Sequence, residues 1–135
     1  MTGRDSLATV LKVAELRERV ARGAVTLAVA TEQRACAAEH RAEQHLAALP
    51  DEADLRLAAA RAGLRAGALL DAQRATAQAG DLTSASVAAY VESARRTSLL
   101  TQLAARKAAE REQAVLAAEQ RLADDLAGLR RRAPR

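Results

Sequence analysis

Cys36, Glu39, His40, Glu43 and His45 are the residues of this chain whose types and proximity could do chemistry. A zinc-protease helix sets two histidines four residues apart, so that both rings reach one ion from one face. His40 and His45 are five apart, which turns them about 140° from each other around a helix and denies them a shared ion. Cys36 and His40 do share a face, but two ligands fall short of the four that hold structural zinc, and the sequence has no further Cys or His to complete the set. Glu39 and Glu43 also share a face, yet the Glu-x-x-His pattern of a carboxylate di-iron site is missing. No metal and no cofactor are expected.

Covalent chemistry fares no better. The six glycines are dispersed and form no phosphate-cradling loop, and no nucleophile elbow is present. Cys36 has no His-acid pair placed to activate it. The chain therefore reads as a non-enzyme that acts by binding other proteins, with no small-molecule ligand. Its charges are spread as Glu-Arg pairs such as Glu15 with Arg19 and Glu18 with Arg22, at the i, i+4 spacing that adds tenths of a kcal/mol on a helix surface. The exception is the C-terminal end, where Arg130, Arg131, Arg132 and Arg135 account for the whole net charge of +4. Such a cluster complements the negative end of a helix dipole and can also meet phosphate or an acidic partner. Nucleic-acid binding is disfavoured, because elsewhere the basic residues alternate with acids and lack interleaved aromatics.

The elements that carry these residues follow from composition. Of the 135 residues 37 are Ala, Phe and Trp are absent, and Tyr occurs once. Ala is the best helix former but gains little on burial, so long helices touching along narrow seams are expected, not a thick core or a sheet. The fold class is all-α. A single cysteine excludes an internal disulfide and suits the cytoplasm. No window approaches the roughly 18 consecutive apolar residues of a membrane span. Gly63 and Gly67 match the small-xxx-small spacing of membrane helices, but Arg61 and Arg65 beside them favour close helix approach in water.

Three helices are predicted, over about 5–49, 51–78 and 83–131, as one hairpin domain with its turn at 79–83. Asp5 or Ser6 can cap the first. Val13, Leu16, Val20, Gly23, Leu27 and Ala30 give it an apolar row at alternating spacings of three and four, which passes to Ala35, Ala38, Ala42, Leu46 and Leu49. Pro50 lacks a donor N–H and clashes with the preceding turn, so the first arm should break or kink there, Asp51, Glu52 and Asp54 forming the acidic first turn of a new helix. That helix carries Leu57, Ala60, Leu64, Ala68 and Ala72. In Ala79-Gly80-Asp81-Leu82-Thr83-Ser84, Gly80 can take the left-handed cap and Asp81 or Thr83 can start the next helix. The last helix holds Val87, Val91, Ala94, Ser98, Thr101, Ala105, Ala108, Glu112, Val115, Glu119, Leu122, Leu126 and Leu129 in one row. A long antiparallel coiled-coil hairpin results, the first two helices folding back along the third.

Two stretches resemble the flagellar FliJ family, helical-hairpin components of the flagellar type III export apparatus. One is Leu7-Ala-Thr-Val-Leu-Lys-Val-Ala-Glu-Leu-Arg-Glu-Arg19, similar to the family's opening, in which a Leu-x-x-Val-Leu run leads into a charged helix. The other is Ala79-Gly80-Asp-Leu-Thr-Ser-Ala-Ser-Val-Ala-Ala-Tyr90, similar to its Gly-Leu-Ser/Thr turn followed by a Tyr, although Ser93 stands where the family usually has an aromatic. The resemblance implies a stalk or escort that inserts into the ring of the export ATPase and links it to the export gate protein, with export chaperones as further partners. It implies a cytoplasmic place at the inner face of the membrane at the flagellar base. The residues that would meet partners are Val13, Leu16 and Val20 on the first helix, Tyr90, and Arg130, Arg131 and Arg132. A general coiled-coil adaptor, or the stalk of an injectisome, is the alternative.

Overall fold

The computed structural model describes residues 3–48 and 54–133. They form two helices packed against each other, α1 over Gly3–Ala47 and α2 over Leu55–Arg132, with no strand among the described residues. The expected break at Leu49-Pro50 lies outside those residues, but helix ends on either side of it at Ala47 and begins again at Leu55. The start of α2 is capped by Asp54, whose Oδ1 accepts from the Arg56 N–H at 2.9 Å while its carbonyl accepts from Ala58 at 3.0 Å. Asp54 thus stands before the helix and serves its orphan donors, rather than lying inside a first turn opened by Pro50.

The predicted turn at 79–83 is not there. Helix continues unbroken through it, so the segments expected at 51–78 and 83–131 are one element. No glycine among the described residues has positive φ, and Gly80 is an ordinary helical residue. Thr83, expected to cap, instead donates its hydroxyl to the Ala79 carbonyl at 3.0 Å, four residues back. Ala79, the first residue of the supposed turn, is 5% exposed and the most deeply buried described residue. Local turn chemistry was outweighed by burial: a turn here would have removed Ala79 and its neighbours from the helix contact, whereas Gly80 in a helix costs only about 1 kcal/mol.

The chain divides into two compact units, one of Glu15–Ala94 and one of Met1–Ala14 with Arg95–Arg135. Within the Glu15–Ala94 unit, three contacts fix the direction of packing. Arg22 lies over the Tyr90 ring, the Glu32 Oε1 lies 3.6 Å from where a Cβ on Gly80 would stand, and Arg65 bonds the Ala48 carbonyl. Partners in α2 fall in number as those in α1 rise, so the two stretches run antiparallel. The half-buried residues of α1 include Glu18, Ala21, Val25, Ala28, Glu32, Ala35, Glu39 and Ala42, at alternating spacings of three and four. Those of α2 are spaced alike through Leu69, Ala72, Thr76, Ala79, Thr83, Ser86, Tyr90 and Ser93.

This seam is not the one expected from apolar patterning. The row through Val13, Leu16, Val20 and Leu27 is displaced by one or two residues from the half-buried row of α1, and it faces out. On α2, Val87 and Val91 likewise stand one residue beyond Ser86 and Tyr90, and are exposed. Small side chains let the helix backbones approach, and Ala recurs at every seventh position of α1 from Ala14 to Ala42. Hydroxyls are tolerated in the seam because they bond their own helix, Thr76 to the Ala72 carbonyl at 3.0 Å and Thr83 to that of Ala79.

In the second unit, Leu7, Leu11 and Ala14 of α1 and Thr97, Leu100 and Ala104 of α2 are half-buried, again at spacings of three and four. From Ala105 to Arg132 every residue except Gly128 is exposed. The expectation that the last helix is covered along its length therefore fails from Ala105 onward.

Candidate partner-binding surface

Among the described residues no three of His, Cys, Asp and Glu come together as a metal would require. His40 turns its Nε2 to the Gln44 side chain at 3.0 Å and its Nδ1 to Glu43 at 3.8 Å, both on α1. Cys36 is exposed. One partly open hollow is lined by Leu99, Gln102, Leu103 and Arg106. What the structure does present is apolar surface.

Val13, Leu16 and Val20 are 42%, 57% and 74% exposed on the outward side of α1. Lys12, Arg17 and Arg19 flank this row and are exposed, and none of the three has an ion-pair partner among the described residues. The expected pair of Glu15 with Arg19 is not formed among them, whereas Glu18 and Arg22 do pair, at 3.4 Å. Glu18 belongs to the seam, with its side chain 20% exposed, so its charge is turned away from the row.

Tyr90 is placed differently from the other predicted contact residues. It is half-buried in the seam, and the Arg22 guanidinium sits 5.7 Å from its ring centroid. Hydrogen bonding to the Tyr90 side chain, and then Coulombic attraction to Tyr90 and to Glu18, raise the Arg22 pKa above its ordinary value. The sequence reading found Tyr90 but not Arg22, because nothing in either local sequence shows which residue faces it across the seam.

Arg130, Arg131 and Arg132 form the exposed last turn of α2, beside carbonyls that have no partner further along the helix. Before them runs a second uncovered apolar row, Val115, Leu122, Leu126 and Leu129, each more than half exposed. Glu112 and Glu119 are set within this row and Asp124 and Asp125 beside it, none in an ion pair among the described residues.

No helix among the described residues is long and apolar enough to cross a membrane. No family model matches the chain, and neither a curated protein nor a solved structure is significantly similar to it.

Proposed function

We propose that this protein is a non-enzymatic component of flagellar type III protein export, which binds the export ATPase ring as a central stalk and couples it to the export gate at the cytoplasmic face of the membrane. In this reading the two helices wind as a coiled coil, and their outward rows, not their seam, meet the partners. The observation that carries it is the row of Val13, Leu16 and Val20, exposed on α1 and flanked by three unpaired cations, whose first two residues lie in the Leu7 to Arg19 stretch that resembles the opening of the FliJ family. Exposed apolar residues in a contiguous row mark protein contacts in general, and the resemblance supplies the partner. Tyr90 supports the seam in this scheme, and the gate is met elsewhere.

The test is ATP hydrolysis by the export ATPase of the same cell, titrated with the full chain and with a Leu16→Glu, Val20→Glu variant. Stimulation at near-stoichiometric ratio by the wild type, lost in the variant while its helical circular dichroism is unchanged, is the expected result. Absence of stimulation by a folded wild type would overturn the reading.

A further inference from the structure

Residues 108–129 of α2 are exposed except Gly128, and between Glu112 and Leu129 they carry four carboxylates against one cation, Arg121. The outward row of α1 is of opposite sign, since the exposed Lys12, Arg17 and Arg19 beside its apolar residues outnumber the exposed Glu15. We infer that the two surfaces meet between two copies of this chain, the 108–129 segment of each protomer seating on the Val13 to Leu27 row of the other. Each copy carries both surfaces, so the chain is complementary to itself.

Two observations select a second copy as the occupant. The charges of the segment and the row are complementary, and the charged groups have no ion pair within the described chain to give up. Both surfaces also leave their apolar side chains uncovered, Val115, Leu122, Leu126 and Leu129 on the segment and Val13, Leu16, Val20 and Leu27 on the row.

Pairing of the 108–129 segment with itself is disfavoured by the same charges. Parallel copies would set Glu119 opposite Glu119, and antiparallel copies would bring Arg106 and Lys107 towards Arg130, Arg131 and Arg132. Like charges facing each other at a helix contact repel. The inference does not depend on the ATPase reading, although both assign a partner to the α1 row, for which the ATPase and a second copy would then compete.

Sedimentation velocity of the full chain over a wide concentration range tests it, with no ATPase present. Two charge-reversed variants are compared, Lys12→Glu with Arg17→Glu and Arg19→Glu, and Glu112→Lys with Glu119→Lys, Asp124→Lys and Asp125→Lys. All these side chains are exposed, so helical circular dichroism should match the wild type. The expected result is a concentration-dependent dimer for the wild type, association at least roughly 100-fold weaker for each variant alone, and recovery when the two variants are mixed. A wild type that stays monomeric throughout, a dimer that either variant leaves intact, or mixed variants that fail to associate would each overturn it.

Discussion

The Arg22 guanidinium lies over the ring of Tyr90, 5.7 Å from its centroid, and joins α1 to α2 at a level where the seam otherwise offers Ala21 and Ser86. A cation over an aromatic face is held by the ring quadrupole, and Tyr90 is the chain's only aromatic. Tyr90→Ala should therefore lower unfolding stability by about 1 kcal/mol or more, and Tyr90→Phe, which keeps the ring, by less. Urea unfolding of both variants measures the difference. A Phe variant as unstable as the Ala variant would show that the hydroxyl, not the ring, is what counts.

The same contact sets a pH expectation. Arg22 has its pKa raised on folding, so its contribution is fully present below the unfolded-state value and is lost only as pH climbs through the higher folded-state value. That window is far above neutrality. The stability difference between wild type and Arg22→Gln should thus stay constant from about pH 6 to pH 9. A difference that changes within that range would assign the coupling to another group.

Gly80 gives a prediction of opposite sign for a turn and for a helix. In a left-handed cap, Gly80→Ala would be strained. In the observed helix a Cβ would meet only the Glu32 Oε1, at 3.6 Å, an ordinary contact. Gly80→Ala should raise stability by about 0.5–1 kcal/mol. Its neighbour Ala79, buried in the seam, should behave oppositely, with Ala79→Leu costing about 1–3 kcal/mol through overpacking. Thermal unfolding of the two variants reads both signs.

Arg65 donates from Nη1 to the Ala48 carbonyl at 3.2 Å, one of the orphan acceptors that a helix C-terminus leaves. The bond is exposed, so Arg65→Met should cost only roughly 0.5–1.5 kcal/mol. Its effect should be local: amide exchange at the end of α1, around Gln44 to Ala48, should quicken while exchange near Ala28 is unchanged. Equal acceleration along α1 would show that Arg65 supports the whole pairing.

Leu16 and Val20 test whether the outward row is surface in the free chain. At 57% and 74% exposed, they should tolerate Leu16→Ala and Val20→Ala with stability changes within about 0.5 kcal/mol at protein concentrations low enough to exclude association. Losses of 2 kcal/mol or more, typical of an Ala substitution in a core, would place the row inside the fold.

The sequence by itself determined that this chain is helical and how its helices are spaced. The 37 alanines, the near absence of aromatics and the alternation of three and four leave no other element type, and every described element is a helix. The break expected at Leu49-Pro50 lies outside the described residues, between the end of α1 at Ala47 and the start of α2 at Leu55. Only the tertiary structure decided which row is inside. Two rows with the same period lie one or two residues apart on α1, one of Val and Leu and one mostly of Ala and Glu, and periodicity alone cannot choose between them. The apolar rule chose Val13, Leu16 and Val20, whereas the fold packs the row with small side chains, where backbones can approach and seam hydroxyls bond their own helix. The turn expected around Gly80 failed for a related reason: a local preference worth about 1 kcal/mol gave way to contacts made by α1 residues far away in sequence, which no window around Gly80 contains.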